Sequence, residues 1–118
     1  MNTYLSGYRI MWLFVMFDLP TITEEDRKEA TKFRKYLLDE GFDMMQFSVY
    51  TRYCTSYEQI ESLEKRISCS LPKGGKIFTF QITDKQYGNS HLYYGHSKKK
   101  AKNPEAAIIF QSGWEAFI

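Results

Sequence analysis

The chain has 118 residues, 43% hydrophobic, 17% aromatic and 25% charged, which suffices for one small globular domain with a core and excludes a second. Its 16 Lys and Arg against 14 Asp and Glu leave a formal charge of +2, so a nucleic-acid-binding role has to come from local placement of charge. Cys54 and Cys69 are too few for a disulfide scaffold and lack the spacing of a zinc site, and they suit reduced thiols in a cytoplasmic protein.

The apolar run from Ile10 to Phe17 (IMWLFVMF) is too short to cross a bilayer and closes on Asp18-Leu19-Pro20, where the proline has no N–H to give a ladder. It predicts a buried central strand ending at Asp18. No membrane partner is expected, and the polar stretch from Met1 to Arg9, with no small-residue cleavage site after the run, has no signal-peptide pattern. Thr23, followed by Glu24, Glu25 and Asp26, supplies a hydroxyl cap, a carboxylate three residues on and negative charge at the positive end of a helix dipole. A helix from about Glu24 to Glu40 follows, with Ala30, Phe33, Leu37 and Leu38 as its apolar stripe and Gly41 as its left-handed stop.

Phe42 to Arg52 mixes aromatic and β-branched residues in rough alternation and predicts a second strand, with room for a hairpin inside Asp43 to Tyr53. Thr55 with Glu58 reads as a second capping box, and Ile60, Leu63 and Ile67, with Cys69 at the end, form a helical stripe that stops at Leu71-Pro72. After the Lys73-Gly-Gly turn, Lys76 to Thr83 alternates, which predicts a strand with Phe78, Phe80 and Ile82 inward and Thr79, Gln81 and Thr83 outward. Asp84 to Gly95 is aromatic and turn-rich, Lys98 to Lys102 is a solvated charge run, and Ala106 to Phe110 is a late strand too apolar to leave exposed. The order is that of a ferredoxin-like βαββαβ sandwich of the α+β class, one domain over 1–118 with 96–118 as a C-terminal extension. The late strand is expected along a sheet edge, in its own protomer or by addition to a partner protomer's sheet.

Asp18 leads the residues that carry chemistry, because a carboxylate leaving a desolvated strand needs a proton, a cation or backbone donors. The plainer reading is a turn aspartate bonded to nearby N–H groups. One carboxylate is a poor magnesium site, but a two-fold dimer would bring the same residue from both chains together. Arg27 and Arg34, seven apart on the first helix, flank its apolar stripe and suit bidentate contacts to phosphate or carboxylate, whereas Lys28, Lys32 and Lys35 lie on the exposed side as a sequence-blind phosphate track. The same five residues equally suit pairing with Glu24, Glu29, Asp39 and Glu40 on a solvated helix. Ser48 and Gln46 are polar on an otherwise apolar strand, either to position a phosphate or water or simply to face solvent. Tyr50, Tyr53, Tyr57, Tyr93 and Tyr94 offer rings for base stacking or for core and dimer contacts, and His91 and His96 have no metal-site spacing. The lysines Lys98, Lys99 and Lys100 read either as a solvated loop or as a steering patch for nucleic acid.

Taken in order, MWLFVMFDLPT ending past Asp18, RKEATKFRKYLLDEGF, QFSVYTR and ITDKQYG resemble the small CRISPR-associated nuclease family, CRISPR-associated protein two, over about Trp12 to Tyr94. The resemblance implies a ferredoxin-like homodimer that joins the larger CRISPR integrase subunit in the spacer-acquisition complex. It also implies a Mg²⁺-dependent (or Mn²⁺-dependent) phosphodiesterase acting on RNA or DNA, with the aspartates of two protomers meeting at the dimer interface. On this chain the aspartate falls on Asp18, as catalytic and metal-binding residue, the serine of QFSVY on Ser48, and the helix arginines on Arg27 and Arg34. Many relatives carry basic residues after the aspartate, whereas Thr21 to Asp26 here is acidic. Phosphate contact therefore shifts to Lys28, Lys32 and Lys35 and to Lys98 to Lys102. Two alternatives stand beside the nuclease: an architectural DNA-binding dimer without catalysis, and a toxin-like small RNase on the same fold.

Overall fold

Sequence pattern and packing together set the order of elements in the computed structural model, which describes residues 10–95 and the short strands at 106–107 and 111–112. The apolar run forms strand β1 (Met11–Asp18), and helix α1 spans Glu24–Asp39. A hairpin of β2 (Asp43–Gln46) and β3 (Val49–Cys54) follows, then helix α2 (Tyr57–Ser68) and strand β4 (Lys76–Thr83). A short helix α3 (Asp84–Gly88) continues directly from β4. The four long strands make one antiparallel sheet in the order β2-β3-β1-β4, the ferredoxin-like βαββαβ arrangement.

β1 is central and its side chains alternate between two faces. Met11, Leu13, Val15 and Phe17 point to α1 and α2 and form the main core with Phe33, Leu37, Ile60, Leu63 and Ile67. Trp12 and Phe14 point the other way and pack with Val49 and Tyr87. At α1 the Thr23 hydroxyl accepts the Asp26 N–H at 3.0 Å while the Asp26 carboxylate accepts the Thr23 N–H at 3.2 Å, the reciprocal cap expected from the sequence. Gly41 (φ 91°) turns the chain out of α1 in the left-handed conformation, as expected.

Several expectations need correction. Leu38 and Cys69 are exposed, Leu38 one residue past buried Leu37 and Cys69 two past buried Ile67, as the cap that follows α2. The cap of α2 is Ser56, whose hydroxyl accepts the Gln59 N–H at 3.1 Å, one residue after Thr55. On β4 the alternation holds but the sides are exchanged. Phe78, Phe80 and Ile82 pair with Met16, Phe14 and Trp12 on the face away from the long helices. Ile77 packs into the helix-side core, and the Thr79 hydroxyl there donates to Glu64 of α2 at 2.8 Å. The segment after Thr83, expected to be irregular, starts with α3, capped reciprocally by Thr83 and Gln86. Two short strands, β5 (Ala106–Ala107) and β6 (Gln111–Ser112), pair with each other in a separate two-stranded sheet, and residues 108–110 of the expected late strand lie outside the described residues. The lysines Lys98, Lys99 and Lys100 lie outside the described residues, and so does His96.

Candidate functional site

The open sheet face, opposite α1 and α2, divides along its length. At one end α3 covers it: Tyr87 stacks on Trp12 with ring centroids 4.2 Å apart, and the Trp12 indole N–H donates to the buried Asp84 carboxylate at 2.6 Å. Burial pushes the Tyr87 phenol far above its ordinary pKa, so it stays neutral. At the other end nothing described covers the face. Met16 and Phe78, paired across β1 and β4, are 37% and 61% exposed. Phe47, in the β2–β3 turn, is exposed as well.

Asp18 lies at this uncovered end. It shares the parity of Trp12, Phe14 and Met16 and therefore projects from the open face, exposed, as the last residue of β1. Its carboxylate makes no hydrogen bond or ion pair with another described residue, so the turn-aspartate reading, in which neighbouring N–H groups satisfy it, does not describe it. Directly opposite Asp18 on β4 stands Lys76, also exposed.

Ser48 comes to the same end of the sheet. It occupies the β2–β3 turn with φ 65°, and its carbonyl accepts the N–H of Phe17, the neighbour of Asp18, at 3.0 Å. The helix arginines separate. Arg27 donates from Nη1 to the carbonyls of Thr21 and Ile22 at 3.1 and 3.0 Å and so braces the loop that follows Asp18. Arg34 is half-buried near Tyr50, whose phenol is nevertheless raised in pKa by burial. Lys28, Lys32 and Lys35 stand on the exposed face of α1; Lys28 and Lys35 form ion pairs with Glu24 at 3.5 Å and Asp39 at 3.6 Å. Such exposed pairs are worth about 0.5 kcal/mol and yield readily to a phosphate. The acidic stretch after Asp18 is occupied structurally: Asp26 caps α1, Glu24 pairs with Lys28, and Glu25 pairs with Lys73 at 3.7 Å.

The tyrosines do not form a stacking platform. Tyr50 is buried under the helices and Tyr53 packs on Trp12, while Tyr57 and Tyr93 are exposed, Tyr93 beside His91. Among the described residues no three His, Cys, Asp or Glu side chains gather into a metal-holding group. At this end of the sheet Asp18 offers a carboxylate with no partner among the described residues, a hard oxygen donor of the type Mg²⁺ takes together with water and phosphate oxygens. Also among the described residues, no helix is long and apolar enough to cross a membrane. Lys76 is the site residue that sequence reasoning missed, because its place depends on the β1–β4 register.

Comparison with known proteins bears on this arrangement. The family model described as CRISPR associated protein Cas2 matches residues 11–90. A protein of Paracidovorax avenae named CRISPR-associated endoribonuclease Cas2 is 51% identical over 107 residues, covering 90% of this chain and 99% of its own. One of the same name from Flavobacterium psychrophilum is 52% identical over 106 residues, covering 90% of this chain and 92% of its own. A solved structure titled "Crystal structure of cas2" aligns with a TM-score of 0.48 at 19% identity, over 79% of this chain and 95% of that one.

Proposed function

The chain belongs to the CRISPR-associated Cas2 family, and from that premise we propose that it is a homodimeric, Mg²⁺-dependent endoribonuclease whose single acid, Asp18, is doubled by symmetry. The observation that carries the reading is the position of Asp18, exposed and without a partner among the described residues, beside the uncovered pair Met16 and Phe78. A sheet face with a large exposed phenylalanine favours burial against another apolar face. A second copy seated on Met16 and Phe78 about a two-fold axis carries its own Asp18 to the same seam, because an isologous contact repeats every residue.

In that seam each chain contributes one carboxylate oxygen donor. A bound Mg²⁺ would supply an activated water and offset charge on the phosphodiester at the transition state. Asp18 holds its place because it closes a central strand paired with β4 through Asp18 itself and with β3 through Met16, and Arg27 ties down the loop after it. Ser48, whose carbonyl accepts the Phe17 N–H, is assigned to orient a phosphate or water at that end of the sheet. The names of the relatives, which specify an endoribonuclease, favour RNA as the substrate.

The biological setting we infer is the spacer-acquisition complex, with the larger integrase subunit and DNA as partners. The exposed lysine row on α1 favours a second, architectural reading, in which the dimer supports duplex DNA by phosphate contacts and hydrolyses nothing. One variant separates the two. Asp18→Asn removes an exposed, unbonded carboxylate, so unfolding stability should change by less than about 0.5 kcal/mol. The nuclease reading expects metal-dependent RNA cleavage by the purified dimer to fall at least a hundredfold. Undiminished cleavage would remove Asp18 from catalysis, and intact spacer acquisition by the cleavage-dead variant would support the architectural role in the cell.

A further inference from the structure

A basic residue stands beside Asp18 on the neighbouring strand, and the backbone fixes it there. In the β1–β4 ladder Asp18 is partnered by Lys76. Residues directly opposite in an antiparallel pair project from the same face with Cα atoms about 4.5–5.5 Å apart. Lys76 is exposed, and its ammonium makes no ion pair or hydrogen bond with another described residue. Lys28, Lys35 and Lys73 differ, each lying within 3.5–3.7 Å of a carboxylate.

The turn that delivers Lys76 is held tightly. Gly75 has φ 82°, and a Cβ on it would lie 2.6 Å from the Asp18 carbonyl oxygen and 2.7 Å from Leu19 Cδ2. Only glycine allows that approach without displacing the backbone of Asp18 and Leu19. Lys73 anchors the turn from the other side, its N–H donating to Glu29 at 3.1 Å and its ammonium pairing with Glu25 at 3.7 Å. Lys76 therefore keeps a constant relation to Asp18, set by main-chain contacts.

We propose that Lys76 is the phosphate-binding residue of the Asp18 site, its ammonium donating to the backbone phosphate of the nucleic-acid strand presented to the paired acids. The electrostatics require such a group. Two carboxylates neutralise one divalent cation, so a phosphodiester entering the site brings an uncompensated negative charge toward an acidic seam. A cation on the adjacent strand offsets it, and an ammonium serves as a compact point charge for phosphate. The inference rests on the nuclease reading for its substrate, but not on cleavage for its test.

The test uses the full chain with Lys76→Gln and Lys76→Arg. Binding of a fluorescein-labelled single-stranded RNA is followed by anisotropy in EDTA across a salt series, and Mn²⁺ binding to the RNA-free protein is followed by electron paramagnetic resonance. Lys76→Gln should weaken RNA binding about fivefold and flatten the slope of log affinity against log salt by about 0.7 for each lysine engaged. Lys76→Arg should restore both, and Mn²⁺ affinity should stay the same or rise in Lys76→Gln, since a competing cation has gone. Unchanged RNA affinity and slope in Lys76→Gln would overturn the proposal, and so would a loss of Mn²⁺ affinity in step with RNA affinity, which would mark a structural role. The RNA arm contains no metal, so it decides for or against Lys76 even if Asp18→Asn shows that Asp18 does not cleave.

Discussion

Glu40 ends α1 with its backbone and ties α1 to α2 with its side chain. Its carboxylate accepts Arg66 Nε at 2.7 Å, Arg66 Nη2 at 3.1 Å and the Tyr36 hydroxyl at 2.9 Å. The Arg66 hydrogen bonds hold the Glu40 carboxyl below the ordinary glutamate range, and Tyr36 adds to this against the opposing effect of burial. A carboxyl with a lowered folded-state pKa stabilises the fold above its unfolded value, about 4.3, and ceases to do so as pH falls through the folded value. The stability difference between the native chain and Glu40→Gln should therefore be larger at about pH 7 than at about pH 3, narrowing as the carboxyl takes up its proton. Urea unfolding at the two pH values measures it, and a difference that is constant or grows in acid would show that the ionised pair contributes nothing. Residues of this kind are invisible in the sequence: Glu40 and Arg66 lie 26 positions apart, and only the packing of the two helices makes them neighbours. Arg27 is similar. Its helical position was legible, its grip on the carbonyls of Thr21 and Ile22 was not.

Local signals made α1 readable, because the Thr23 cap, the apolar stripe and Gly41 all act within a few residues of one another. At α2 two adjacent hydroxyls, Thr55 and Ser56, offered the same cap, and only the geometry selects Ser56. α3 was written in the sequence as Thr83 followed three residues later by Gln86, but five residues give too little periodicity to announce a helix. Alternation in β4 identified two faces without saying which one the helices cover. Glu64 of α2 provides an acceptor for Thr79 on the helix side, while Phe80 stacks on Phe14 at 4.7 Å on the other. α3 is held to that second face by the Trp12–Asp84 hydrogen bond, in which Asp84 is fully buried and its second oxygen lacks a partner among the described residues. Trp12→Phe keeps an aromatic ring but strips the carboxylate of its indole donor, and should cost about 2–3 kcal/mol. Asp84→Asn keeps a carbonyl acceptor for Trp12 and should cost less than half as much. Urea denaturation of both variants checks the pair; equal losses would mean that the bond from Trp12 matters less than the packing around it.

A single sheet with apolar residues on both faces has to be covered twice. Among the described residues α1 and α2 cover one face and α3 covers the Trp12 end of the other, which leaves the strip of Met16 and Phe78 next to Asp18. Asp18 itself was legible, since an acid closing an apolar run marks where a strand leaves the core. Lys76 was not, because which residue of β4 faces it is a matter of register, and neither was the uncovered strip, because Phe78 was expected inside. If the strip is the seam between two copies, its largest exposed side chain carries much of the association. Burying the exposed part of one phenylalanine is worth about 2 kcal/mol, so losing it from both copies should weaken the dimer by on the order of a thousandfold. Phe78→Asp removes that gain and adds a negative charge near the paired Asp18 carboxylates, which repels in the same direction. Because Phe78 is exposed within one chain, the variant should stay folded, sediment as a monomer at concentrations where the native chain is dimeric, and lose RNA cleavage although Asp18 is intact. Sedimentation velocity combined with the cleavage assay reads both effects. A Phe78→Asp dimer of native affinity would place the seam on another surface, and a monomer that still cleaves would separate the hydrolytic site from dimerisation altogether.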